Sequence, residues 1–168
     1  MIKIGKNISE FSVYSCQPKT RGELNMIIGD RISNEGPNCD LNDIDVSLID
    51  DMSGLFYNSK FNGDISKWNT SNVKNMSAMF SRSEFNRDIS EWNVGNVTNM
   101  RCMFMNSEFT GDISRWDVSN VIDMYKMFTF SVFDQDISKW DINKDCNIIC
   151  VFHSCPIKEE YKPKLFQL

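Results

Sequence analysis

The sequence predicts an α/β solenoid, a stack of about five units of 24 residues each with a cap at both ends. The first observation is an exact period, since columns of tryptophan, phenylalanine, isoleucine and methionine all recur at this step. The second is an uninterrupted register from Asp40 to Phe152. A unit this short is too small to bury its own apolar face, so an exact period in this range predicts that the copies stack. The columns are Trp68, Trp92, Trp116 and Trp140; Phe61, Phe85, Phe109 and Phe133; Ile65, Ile89, Ile113 and Ile137; Met52, Met76, Met100 and Met124; and Phe56, Phe80, Phe104, Phe128 and Phe152.

Residues 1–16 precede the repeats, and their sequence pattern predicts a β-hairpin appendage. Apolar residues alternate with polar ones on both sides of a Gly-Lys-Asn segment that begins at Gly5 and suits a turn. The segment belongs to neither the repeats nor the caps, so the repeat pattern requires no structural role of it. We therefore expect it to be available for partner contact or dimerisation.

Residues 17–39 predict an N-terminal cap that contains a helix. Thr20 and Glu23 have the spacing of a capping box, and Gly36 and Pro37 mark the end. Between these start and stop signals, four apolar residues fall on one face of the predicted helix. They are Leu24, Ile27, Ile28 and Ile32.

Residues 40–152 form the repeats, and each unit predicts one strand and one short helix. The segment Asp-Ile-Ser-x-Trp is short and rich in strand formers. The segment that follows places apolar residues at i, i+3, i+6 and i+7, the stripe of a short amphipathic helix. In one unit they are Val97, Met100, Met103 and Phe104. Residues 153–168 predict a C-terminal cap with a short helix from Pro156 to Tyr161.

Composition argues against several functional classes. The chain has a formal net charge of −5, whereas affinity for nucleic acid comes mainly from an excess of Lys and Arg, so we expect no direct nucleic-acid binding. No segment approaches the length of a membrane span, and no signal peptide is recognisable. The six cysteines lack the paired spacings of a disulfide framework, which is typical of reduced thiols. We predict a cytoplasmic protein without a cofactor, and leave its oligomeric state open.

The repeat resembles the BspA-like type, an outlying leucine-rich repeat of mycoplasma and other bacterial surface proteins. The motif Phe-Asn-Gly-Asp-Ile-Ser-Lys-Trp that ends at Trp68 carries the resemblance, as does Trp-Asp-Val-Ser-Asn-Val-Ile-Asp-Met from Trp116 to Met124. The likeness extends over roughly residues 18–163. It implies a leucine-rich-repeat-like fold and a role in binding rather than catalysis.

Two columns of possible metal ligands, the aspartates and the methionines, have a simpler interpretation than metal binding. The aspartates Asp40, Asp64, Asp88, Asp112 and Asp136 supply one carboxylate per unit, too few oxygens for a calcium ladder. We expect them, with the serines that follow, to cap turns by accepting backbone N–H bonds. The methionines have aromatic and valine neighbours, which favours core packing over soft-metal binding.

One cluster near the C-terminus has residue types suited to chemistry. A zinc site or a Cys/His nucleophilic pair is conceivable there if the chain bends suitably. No orienting Asp or Asn pattern and no glycine-rich oxyanion turn accompanies it, so we favour a structural role. The cluster is Cys146, Cys150, His153 and Cys155.

Two variable strips remain as candidate binding surfaces. If the strand alternates, the residues beside the buried isoleucine and tryptophan point outward and form a mixed-charge strip. It contains Lys67, Arg87, Glu91, Arg115 and Lys139. A second strip on the helix side contains Arg101, Tyr125 and Phe130, where exposed aromatic residues would indicate recognition.

The sequence therefore predicts a non-catalytic recognition module that binds a protein through one face of the solenoid. A first alternative is an acidic inhibitor from a mobile element that occupies the basic nucleic-acid-binding groove of its target. A second is a metal or cysteine enzyme built on the cluster from Cys146 to Cys155.

Overall fold

The structure, a computed structural model, describes residues 14–167. The predicted hairpin of residues 1–16 therefore lies almost entirely outside the described residues. Its last residues extend the stack, because Cys16 forms a parallel bridge with Ile44. The Asp45 N–H donates to the Cys16 carbonyl at 2.8 Å.

A single α-helix, α1 (Arg21–Glu35), is present among the described residues and lies where the sequence predicts it. The Thr20 hydroxyl accepts the Glu23 N–H at 3.2 Å, as a capping residue should. The Glu23 carboxylate accepts from the Lys19 N–H at 2.7 Å, one residue earlier than in the standard capping box. Gly36 ends the helix with φ of 90°, a value that favours glycine.

Consecutive units are held together by parallel pairing at the repeat step. Isolated parallel bridges join residues 24 positions apart, as in the series Asn75, Asn99 and Asp123. Each unit also donates backbone hydrogen bonds to the next through four N–H groups at alternate residues. Met76, Ala78, Phe80 and Arg82 donate in this way to the carbonyls of Asn99, Arg101, Met103 and Met105, at 2.8 to 2.9 Å. We call this set of bonds the backbone ladder.

The segment predicted as a short helix is a chain of overlapping turns, so that prediction was wrong. Between the ladder donors, N–H groups bond to the carbonyl three residues back, as Met79 does to Met76 at 3.2 Å, and the Ser77 N–H bonds to the Asn75 side chain at 3.0 Å. Two residues in each segment have left-handed backbone, for example Ala78 with φ of 53° and Arg82 with φ of 58°. An α-helix cannot continue through such residues. The apolar stripe still faces the core, because the turns place it there.

The segment predicted as a strand is also a turn. The Asp88 carboxylate accepts the Ser90 N–H at 2.9 Å, and the Trp92 N–H bonds to the Ile89 carbonyl at 3.2 Å. A side chain that bonds its own backbone two residues on competes with extended pairing. The capping role predicted for the aspartate is confirmed in every unit. The acceptors are Asp40, Asp64, Asp88, Asp112 and Asp136.

The core consists of stacked side-chain columns. Phe80 lies 5.6 Å from Phe56 and 5.6 Å from Phe104, with nearly parallel rings. Each tryptophan indole N–H donates to a backbone carbonyl of the preceding unit, as Trp92 does to Ile65 at 3.1 Å. Burial of the indole therefore leaves its polar group satisfied. Classification of the stack as a leucine-rich-repeat-like α/β solenoid stays a prediction.

The C-terminal cap contains two 3₁₀ turns, Glu159–Tyr161 and Lys164–Phe166, rather than the predicted helix from Pro156 to Tyr161. Pro156 and Ile157 precede the first turn without helical pairing. Phe166 packs edge-on against Phe152 at 4.8 Å and covers the end of the phenylalanine column.

Candidate recognition surface

The mixed-charge strip lies on a turn rather than on a strand, but its side chains do reach solvent. Lys67, Glu91, Arg115 and Lys139 are all exposed, each directly before a buried tryptophan. The turn beneath them is held by the aspartate cap on one side and the indole bond on the other. Variable charged groups are therefore presented at a regular step on an ordered frame.

The charges within this strip interact weakly with one another. Arg115 and Glu91 approach to 3.7 Å, but their side chains are 81% and 77% exposed. Ion pairs this exposed contribute little to stability, so both groups remain available to a partner. Arg87 differs, because its Nε donates to the Asn62 carbonyl at 2.8 Å and ties the side chain to the neighbouring unit.

The second predicted strip follows the turn chain and divides into two separate contacts. The Arg101 guanidinium stacks over the Tyr125 ring at 4.1 Å and approaches the Asp123 carboxylate at 3.7 Å. Phe130 is 56% exposed and meets the His153 ring edge-on at 5.4 Å. The structure thus brings Arg101 and Tyr125 together, with Phe130 in a contact of its own.

The structure also shows exposed apolar residues that the sequence analysis missed. Ile122, Val132 and Ile149 are 57%, 50% and 61% exposed. They lie in the last two units, as Phe130 does, and we refer to these four exposed residues as the apolar patch. A signal was available in the columns, because equivalent positions in earlier units are polar. In the column of Ile122 the earlier units have Asp50, Lys74 and Thr98, and in the column of Val132 they have Lys60, Glu84 and Glu108.

The proposed cysteine and histidine cluster is not assembled. Among residues 14–167, no group of three or more His, Cys, Asp or Glu side chains is placed to hold a metal ion. Cys155 donates to the Phe133 carbonyl at 3.1 Å, whereas Cys150 is exposed and the His153 ring meets Phe130. Burial raises the pKa of the Cys146 thiol, which lowers its thiolate fraction at neutral pH.

A concavity of about 900 Å³ separates the last complete tryptophan turn from the C-terminal cap. Lys139, Trp140, Glu160 and Lys164 line it. Its described lining contains neither histidine nor cysteine, so it adds no imidazole base and no thiol nucleophile to the mixed-charge strip that ends there.

No helix in the described part of the chain is long and apolar enough to cross a membrane.

Comparisons with known proteins place the repeats in one family. No curated protein and no solved structure matches the chain. One family model matches residues 30–140 and 105–157, which together span most of the chain and all of the repeats. The chain therefore belongs to the family described as "Mycoplasma protein of unknown function, DUF285".

Proposed function

We propose that this protein is a non-catalytic recognition module that binds a protein partner through the mixed-charge strip. The observation that carries the proposal is the contrast within each turn. Aspartate and tryptophan are held by backbone hydrogen bonds, whereas the residue before tryptophan changes from Lys67 to Glu91 to Arg115 and stays exposed. Arrays of this kind suit recognition, because neighbouring units form one extended surface.

We also propose that the repeats are of the BspA-like, leucine-rich-repeat-like type. The motif Asp-Ile-Ser-x-Trp and its regular register support this finer assignment within the mycoplasma family. It is consistent with a binding role, since such stacks devote their residues to packing and surface presentation.

An acidic inhibitor of a nucleic-acid-binding protein is the weaker candidate. The aspartate column does carry one carboxylate per unit, and backbone N–H bonds lower the pKa of Asp64, Asp112 and Asp136. The strip beside it, however, contains the cations Lys67, Arg115 and Lys139. A mixed surface matches a mixed partner surface better than a uniformly basic groove.

Charge reversal of the strip tests the main proposal. The triple variant Lys67→Glu, Arg115→Glu and Lys139→Glu should keep its thermal midpoint within a few degrees, because exposed charges contribute little to folding. Affinity capture from the native cell, with mass spectrometry, should lose the protein that the wild type retains. Titration of that purified protein should then show at least a tenfold weaker affinity, equivalent to about 1.4 kcal/mol.

A matched control separates recognition from net charge. Lys60→Glu, Lys74→Glu and Lys144→Glu change the net charge by the same amount at exposed positions outside the strip. We expect this variant to bind as the wild type does. Equal losses in both variants would indicate a general charge effect, and undiminished binding in the strip variant would overturn the proposal.

A further inference from the structure

The backbone ladder ends in an edge of hydrogen-bond donors. In each earlier unit, four N–H groups at alternate residues donate to carbonyls of the next unit. In the fourth unit the donors Met124, Lys126, Phe128 and Phe130 reach the carbonyls of Asn147, Ile149, Val151 and His153 at 2.9 to 3.0 Å. The equivalent donors of the last unit are the N–H groups of Ile148, Cys150, Phe152 and Ser154, and none of them bonds to an acceptor among residues 14–167. We call these four groups the donor edge.

The donor edge already has the conformation that the bonded units have. Cys150 and Ser154 have φ of 57° and 53°, and their counterparts Lys126 and Phe130 have 56° and 58°. The turn bonds are also in place, as from the His153 N–H to the Cys150 carbonyl at 3.2 Å. A binding site that needs no rearrangement avoids part of the entropic cost of association.

The C-terminal cap leaves this edge accessible. It covers the phenylalanine column through Phe166, and its Tyr161 carbonyl accepts the Ile137 N–H at 3.0 Å. Cys150 and Ser154 remain exposed, whereas Ile148 and Phe152 are partly buried. The cap therefore covers the aromatic side of the last unit and not its ladder.

Two residues of the apolar patch, Ile149 and Phe130, lie at the same edge. Ile149 belongs to the edge segment, and Phe130 contacts His153 of that segment. Exposed apolar side chains next to unpaired backbone donors are the combination used when a polypeptide adds to an open edge. Main-chain bonds then supply affinity and side-chain contacts supply selectivity.

We propose that the donor edge binds a repeat-like polypeptide segment from another protein, which continues the ladder by one unit. The interior of the stack shows what fits these donors: carbonyls at alternate residues of a Val-x-x-Met-x-x-Met-Phe turn segment. A second copy of this chain is the poorer occupant, because α1 begins against the corresponding end of the ladder. Arg21, the first residue of α1, donates to the Ser53 carbonyl at 2.7 Å, and the start of α1 lines a concavity together with Ser53, Gly54 and Leu55.

Amide exchange of the ¹⁵N-labelled full chain tests the proposal. The probe is a synthetic peptide with the sequence of residues 94–110, with Cys102 replaced by serine, and the control is its scrambled sequence. In the free chain, the edge amides should exchange faster than their interior equivalents in Met100, Phe104 and Asn106. At nine-tenths saturation with the peptide, their exchange should slow about tenfold. The scrambled peptide should leave it unchanged.

A proline variant examines the same contact by a second route. Ile148→Pro removes one edge donor that has no partner among the described residues, so peptide affinity should fall at least about fivefold. If this variant does not fold, the exchange measurement on the wild type still decides.

Unchanged edge amides at millimolar peptide would overturn the proposal. So would edge amides that are already protected in the free chain and lose that protection on dilution, which would identify a second copy as the occupant. The donor edge is separate from the mixed-charge strip, so either proposal can fail without the other.

Discussion

Phe104, in the middle of the stack, and Phe152, in its last unit, occupy the same repeat position two units apart. Phe104 is fully buried between Phe80 and Phe128, each at 5.6 Å. Phe152 stacks on Phe128 at 5.7 Å, but its other neighbours are the edge-on ring of Phe166 at 4.8 Å and the Lys162 ammonium, 5.8 Å from the ring centroid. The difference shows that the burial of a phenylalanine at this repeat position depends on how many units lie next to its own.

The same contrast holds for the backbone. The Phe104 N–H donates to the Met127 carbonyl at 2.9 Å, whereas the Phe152 N–H has no acceptor among residues 14–167. Stability in such a stack is a sum of contributions from units and from the interfaces between them. The middle units have two interfaces each and the last unit has one, so the C-terminal end should be the softer region.

The largest expected effect comes from removing a ring in the middle of the stack. Phe104→Ala should lower the free energy of unfolding by about 3 to 5 kcal/mol, because it opens a cavity in a closed column. Phe152→Ala should cost about 2 kcal/mol, since the half-buried site can be filled by solvent or by collapse of the cap. Urea denaturation of both variants measures the difference. Equal losses would show that the last unit is as well supported as the middle.

Glycine substitutions sharpen the comparison at the N-terminal end. A Cβ at Gly63 would lie 1.9 Å from the Cys39 carbonyl oxygen, a backbone atom that cannot move aside cheaply. At the equivalent Gly111, the nearest atoms belong to the Phe109 ring, and the same column carries Arg87 and Gln135. Gly63→Ala should cost about 1 to 3 kcal/mol and Gly111→Ala clearly less. Thermal unfolding compares them, and the reverse order would contradict the packing described at the cap.

A smaller effect of opposite sign is expected at Phe130. Its φ of 58° is unfavourable for a bulky residue, whereas the middle unit has Asn106 at the same position with φ of 55°. Phe130→Asn should raise the free energy of unfolding by about 0.5 to 1 kcal/mol, because asparagine tolerates this conformation. Asn106→Phe is the matched control and should be destabilising. A loss of stability in Phe130→Asn would mean that the Phe130 ring contact with His153 outweighs the backbone strain.

The smallest effect concerns pH and should not depend on position in the stack. Backbone N–H groups of Ser66, Ser114 and Ser138 lower the pKa of Asp64, Asp112 and Asp136. Stability from these carboxylates is complete above the ordinary carboxyl pKa of about 4 and is lost as pH falls through the lowered value. Thermal midpoints should therefore be level above about pH 5 and decline in acid.

Substitution by asparagine isolates one carboxylate. Asp112→Asn retains an oxygen that can accept the Ser114 N–H, so the turn should persist while the acid decline becomes shallower. Asp64→Asn should behave alike, because its lowered pKa has the same first cause. An acid profile identical to that of the wild type in both variants would show that these aspartates do not contribute to it.

Much of the candidate surface could be predicted from the sequence, because it follows from the register. Lys67, Glu91, Arg115 and Lys139 are exposed as expected, since each precedes a buried tryptophan. The tie between Arg87 and the Asn62 carbonyl could not be read from the sequence, because it joins residues of different units. The other members of the apolar patch, Ile122, Val132 and Ile149, were missed for a related reason, since each is unremarkable within its own unit.

The sequence by itself determined the repeat, the buried columns, the helix α1 and the aspartate caps, because each of these rests on spacing or on bonds between residues near in the chain. Only the tertiary structure decided the backbone of the units. The stripe from Val97 to Phe104 has helical spacing, yet the Met100 N–H donates to the Asp123 carbonyl at 2.8 Å in the next unit. A backbone donor that finds an acceptor in a stacked neighbour does not need a helix to satisfy it, and the last unit, which has no such neighbour, is left with the donor edge.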